Sequence, residues 1–206
     1  EKATSDAIKF YVNLQNNDWC PTQEQFANTS ATEQFFSGQG AMFFAGSWDL
    51  VNLCSTYTDM NGKWDVAVLP KCPNPESGDG RAVISNSVSY ATAAEGKNKD
   101  TAMDFLKFLA SEEGQRIQGE SGVAIPAYNG LEDTWVNTFA ENGYDIHPEN
   151  IIPMFDYSVK YVNNPSRPSW EPKVEQAVLD IYAGNMSVDD GIQNMQDIVT
   201  EAIAED

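Results

Sequence analysis

Apolar positions recur along this chain with two periods, one near 3.6 and one near 2, and the two alternate. From Ser5 to about Gln15, Ala7, Ile8, Tyr11, Val12 and Leu14 form a broad helical stripe. Ser30-Ala31-Thr32-Glu33 has capping-box spacing, and Gly38 is placed to end the short helix it starts. Ala41-Met42-Phe43-Phe44-Ala45 is apolar at every position, the pattern of a central strand in a sheet covered on both faces. Gly46-Ser47 breaks that run, and Trp48 to Tyr57 reads as helix. Trp64 to Leu69 reads as a second strand, ended by Pro70. The run from Lys71 to Gly80, rich in Pro and Gly, predicts a loop and is the clearest internal boundary. Ala82-Val83-Ile84 and Val88-Ser89-Tyr90-Ala91 are apolar-biased pieces on either side of Ser85-Asn86-Ser87.

The next helix is the plainest of all, with Ala102, Phe105, Leu106 and Leu109 at i, i+3, i+4 and i+7. Ser111-Glu112-Glu113 starts another, which the glycines at 119 and 122 end. A helix is expected over Leu131–Ala140, with a weaker signal from Pro148 to about Val159. Pro172 sits near the first turn of a helix carrying Val174, Ala177, Val178 and Ile181, ended by Gly184. Ser187 then caps a last helix whose stripe is Val188, Ile192, Met195, Val199 and Ala202. Helical and strand periods in alternation predict an α/β class.

Charge narrows the partners. Thirty-one acidic against 12 basic residues give a formal net charge of −19, which repels phosphate backbones and anionic lipid heads, so nucleic acid is not an expected partner. The acids are spread along the chain, as on a solvated surface. No apolar run is long enough to cross a bilayer. The chain opens at Glu1 with no Met or signal-like segment and enters a helical pattern almost at once, so an upstream portion is expected to have been removed.

Catalytic chemistry finds little support. Cys20, Cys54 and Cys72 form no CxxC pair; buried small hydrophobes or one disulfide with a spare thiol both fit their number. With His147 as the sole histidine, a multi-histidine metal site within one chain cannot go beyond a single ligand, and the residue reads as part of a loop or the surface. Asp59-Met60-Asn61-Gly62 starts like a calcium loop, but its glycine comes too early and Lys63 occupies a ligand position. No metal, cofactor or catalytic residue is therefore assigned. Glu112 and Glu113 are explained by the start of a helix. A glycoside hydrolase, which needs two carboxylates converging across a cleft, stays open as the enzymatic alternative.

Several segments, in this order, resemble the extracellular solute-binding proteins that deliver sugars to ABC importers, the family of maltose-binding protein. They are Phe36-Ser37-Gly38-Gln39-Gly40-Ala41-Met42-Phe43-Phe44-Ala45-Gly46-Ser47-Trp48, then Trp64-Asp65-Val66-Ala67-Val68-Leu69-Pro70, then Ala82-Val83-Ile84-Ser85-Asn86-Ser87. Phe105 to Gly114, Ala124-Ile125-Pro126-Ala127 and Ala183 to Asp190 complete the set, which extends over nearly the whole chain.

The resemblance implies a periplasmic-binding-protein-like fold of type II, represented by its C-terminal lobe and a crossover segment of the other. Residues 1–69 and 120–206 would belong to the C-terminal lobe, and 70–119 would pack on an N-terminal lobe missing from this chain. Left uncovered, 70–119 is also a candidate for self-association. The implied function is a non-enzymatic one: capture of a sugar or oligosaccharide between two lobes, hinge closure, and recognition by a membrane permease, with no cofactor. The implied location is extracellular or periplasmic, tethered to the membrane through an absent N-terminal segment. A polyamine or other small cation is the alternative ligand, which the acidity permits.

By the same resemblance Trp48, flanked by Ser47 and Asp49, matches an aromatic that stacks on sugar; without the resemblance it reads as a core residue at a helix start. Trp170 lies near a second such aromatic at the mouth of the cleft. Arg167 either hydrogen-bonds hydroxyls or pairs with an acidic neighbour, and Asn86 with Ser87 forms either a ligand-facing amide and hydroxyl or an ordinary turn. Trp19, Trp64 and Trp135 are assigned to packing.

Overall fold

The computed structural model describes residues 2–75, 78–161 and 164–204, so Glu76 and Ser77 of the predicted loop lie outside the described residues. In chain order the helices are α1 (Lys2–Asn16), α2 (Gln23–Asn28), α3 (Ala31–Phe36), α4 (Leu50–Thr56), α5 (Lys99–Leu109), α6 (Glu112–Glu120), α7 (Glu132–Glu141), α8 (Arg167–Tyr182) and α9 (Val188–Ala204). Two strands, β1 (Val83–Ser85) and β2 (Ser158–Lys160), pair in parallel with Val83 opposite Ser158 and Ser85 opposite Lys160. The chain divides into two compact units. One comprises Glu1–Ala41, Pro73–Gly78 and Val162–Asp206; the other comprises Met42–Cys72 and Asp79–Tyr161.

The first unit is built on α8 and α9, which pack against each other, with α1 against α9. Its core is Ile8, Ala177, Ile181 and Met195, ringed by Val12, Val174, Val178, Tyr182, Met186, Val188 and Ile192. These are the stripes the helical period predicts. Close approach depends on Gly191, where an added Cβ would collide with the Ile181 side chain. Two capping boxes set the short helices: Ser30 with Glu33, as expected, and Thr22 with Gln25.

The second unit is centred on α7, where Trp135 and Phe139 are fully buried and meet edge to face at 5.1 Å. The Trp135 indole donates to the Gly122 carbonyl at 3.0 Å, and the Thr138 hydroxyl donates to the Glu120 carbonyl at 2.8 Å. Those bonds fasten α7 to the end of α6, satisfying polar atoms that burial would otherwise penalise. Leu50, Leu53 and Cys54 of α4 are buried in the same unit, and burial pushes the Cys54 thiol up to about 11. Cys20, Cys54 and Cys72 are all free thiols.

The expected strands correct most. Residues 42–46 and 64–70 have no regular secondary structure, and Met42 is 88% exposed. A strand apolar on both faces persists only when flanking strands accept its backbone bonds and outer layers cover its side chains. The described sheet, with just β1 and β2, supplies neither for these two runs. The Pro148–Val159 signal resolves into a ten-residue 3-10 segment, Pro148–Tyr157, followed by β2. Helix α8 begins at Arg167, before the expected start, because Pro168 occupies its first turn and Pro172 falls inside. Among the described residues no helix is long and apolar enough to cross a membrane.

Candidate functional site

Ser47, Trp48 and Asp49 share one 3-10 turn that runs directly into α4. The turn forms because Gly46, in extended conformation, accepts a 3.0 Å hydrogen bond on its carbonyl from the Asp49 amide. Leu50, Leu53 and Cys54 face the core and fix the helix, which leaves the turn at the surface. Trp48 is 54% exposed, so the reading of it as a core residue fails. Its indole lies over Gly46: a Cβ there would strike the Cζ2, Cε2 and Cη2 atoms of the ring. The result is a flat apolar plate backed by main chain. Asp49 occupies the N-cap position of α4, but its side chain makes no capping bond.

In the same unit, Asn86 and Ser87 follow β1 directly and are both exposed. Arg167 and Trp170 belong to the other unit, on the first turn of α8. The Arg167 guanidinium donates to Glu171 at 2.6 Å, an i, i+4 ion pair with both side chains mostly covered. The Trp170 indole donates to the Asn164 side-chain carbonyl at 3.2 Å. The proposed residues thus form three groups: one turn before α4, one stretch after β1, and one helix start in α8.

Of the tryptophans assigned to packing, Trp135 is fully buried and Trp64 partly so, whereas Trp19 is 77% exposed. Helix α1 ends at Asn16 and Asp18 turns the chain through a left-handed conformation, so Trp19 falls outside the α1 stripe. Two residues that sequence reasoning missed are Gly46 as the seat of the Trp48 ring and Asn164 as the partner of Trp170. The Gly-x-Trp spacing carried the first signal; the second had none.

The sequence profile of the bacterial extracellular solute-binding protein family matches residues 1–116, more than half of the chain. The chain belongs to that family. Its fold is also similar to that of a sugar transporter from Rhizobium etli solved in an open conformation, with a TM-score of 0.68 and 23% sequence identity. That match covers 95% of this chain and 50% of the other, so this solute-binding protein sequence spans about half the length of the solved structure it resembles. No curated protein matches it.

Proposed function

We propose that this chain is the C-terminal half of the substrate-binding component of an ABC importer, and that the solute is a sugar or oligosaccharide. The observation that carries the reading is the exposed Trp48 ring laid over Gly46. A sugar presents a face of C–H groups and a rim of hydroxyls; a flat indole covers the face and short polar side chains serve the rim. Ser47 and Asp49 flank the plate, and Asn86 and Ser87 are exposed amide and hydroxyl groups of the same unit. Arg167, held by Glu171, and Trp170 are further candidates for contact with the ligand. Binding needs no covalent step and no cofactor, so the protein is a carrier and not an enzyme.

In this reading, residues 1–69 and 120–206 form the C-terminal lobe, and 70–119 packs on an N-terminal lobe encoded upstream. Support comes from α5, which buries no residue although its sequence is amphipathic. Without that lobe, 70–119 is also the segment through which copies of this chain self-associate. The mature protein works outside the cell, tethered upstream, and the closed two-lobed form docks on the permease. Calorimetric titration of the longer parent and of this chain against an oligosaccharide panel, with a polyamine control, tests the ligand class. Heat from one saccharide class, weaker with this chain than with the parent, supports the reading. Heat from the polyamine alone would replace sugar with a cation, which the charge of −19 accommodates.

A further inference from the structure

The second unit contains a seam that no β-ladder holds. Residues 61–66 meet residues 143–150, more than 80 positions later, through side chains bonded mainly to backbone. Asn61 donates through Nδ2 to the Gly143 carbonyl at 2.9 Å and accepts on Oδ1 from the Asp145 amide at 2.8 Å. Asn150 donates to the Val66 carbonyl at 3.0 Å. Between these two fixed amide contacts sits Asp65. It accepts the His147 backbone amide on Oδ1 at 2.7 Å and meets the His147 ring, Nδ1 to Oδ2, at 2.6 Å. The seam anchors the start of the irregular run that leaves this unit after Cys72.

We propose that Asp65 and His147 form a pH-responsive clasp, which sets how firmly residues 64–70 are held to the loop after α7. Asn61 and Asn150 do not titrate, so the clasp is the adjustable part of an otherwise constant seam. The hydrogen bond the ring donates to the Asp65 carboxylate, and that carboxylate's negative charge, hold the His147 ring above the usual imidazole range, helped by Glu149 and Asp145. Lys63, the nearby cation in sequence, sends its ammonium to the Asp59 carbonyl. Burial alone would raise the Asp65 carboxyl, but the His147 and Val66 amides and the His147 ring outweigh it and hold the carboxyl below its ordinary value.

The signs follow from linkage. A raised histidine strengthens the clasp below the unfolded imidazole value, and that contribution is lost as pH rises through its folded value. A lowered carboxyl contributes above the unfolded carboxyl value, and that contribution is lost as pH falls through its folded value. The clasp is therefore tightest in mildly acidic to neutral solution and loosens on either side.

Because His147 is the sole histidine, its ring signals in a proton–carbon NMR titration are unambiguous. The decisive readout is the hydrogen-exchange protection factor of the His147 amide, followed with pH in the 206-residue chain. Protection should fall about two- to fivefold as the ring loses its proton, the change expected for an exposed ion pair. In Asp65→Asn, which keeps an acceptor for the amide, the ring should titrate lower and protection should stop following the ring. His147→Gln should likewise give a flat profile while the fold persists. A wild-type profile that is flat across the ring titration, or an Asp65→Asn profile that still follows it, would overturn the clasp.

Discussion

Helices α5 and α8 start from the same sequence signal and end in opposite environments. Each places apolar residues at i, i+3, i+4 and i+7: Ala102, Phe105, Leu106 and Leu109 in one, Val174, Ala177, Val178 and Ile181 in the other. In α8 the stripe is covered by α9, and Ala177 and Ile181 are buried. In α5 no residue is buried, and Phe105 is 59% exposed. Amphipathic spacing therefore states that a face requires cover without stating what covers it. For α8 the cover follows a few residues later in the chain, across Gly184. For α5, α6 gives partial cover and the remainder stays open.

Substitutions can break or sharpen this contrast. The largest effect is expected at Ile181→Ala, which opens a cavity between α8 and α9 and should lower stability by about 2–5 kcal/mol in denaturant unfolding. Gly191→Ala forces a Cβ against Ile181 and should cost about 1–3 kcal/mol by the same measurement. Ser30→Ala removes a capping bond from a short helix and should cost about 0.5–2 kcal/mol. Phe105→Ser should change the stability of this chain by no more than about 0.5 kcal/mol, since more than half of Phe105 is exposed. A Phe105→Ser penalty as large as that at Ile181 would mean that α5 is already buried in solution and would dissolve the contrast. The same variant sharpens it through light scattering: if 70–119 mediates self-association, Phe105→Ser reduces the apparent mass at high concentration.

Legibility in the sequence followed the range of the interactions. Helices whose caps and stripes are local were readable: the Ser30–Glu33 box, the Ser187 cap that accepts the Asp190 amide at 3.1 Å, and the Val188-to-Ala202 stripe. The runs 41–45 and 64–69 have the composition of strands, yet a strand is defined by its neighbours, and none flanks them in the described sheet. Pro172 misplaced the start of α8 because two prolines four residues apart offer the same first-turn signal. At the site, the turn holding Ser47, Trp48 and Asp49 was legible from Gly46-Ser47-Trp48 and the resemblance it supports. The seating of the ring over Gly46 is a contact between side chain and backbone that spacing alone does not reveal, as is the Trp170–Asn164 bond.

Trp135 and Trp48 repeat the contrast at the level of single rings, one sealed in α7 with its indole bonded to Gly122, the other open above Gly46. If Trp48 is the sugar platform, its loss should weaken binding while leaving the fold intact. The direct measurement is the affinity of this chain for a saccharide panel, titrated calorimetrically in wild type, Trp48→Phe and Trp48→Ala. The account predicts a loss of about tenfold or more for Trp48→Ala, near 1.4 kcal/mol, with Trp48→Phe retaining most of the affinity. An unchanged affinity in Trp48→Ala, with unfolding also unchanged, would contradict it.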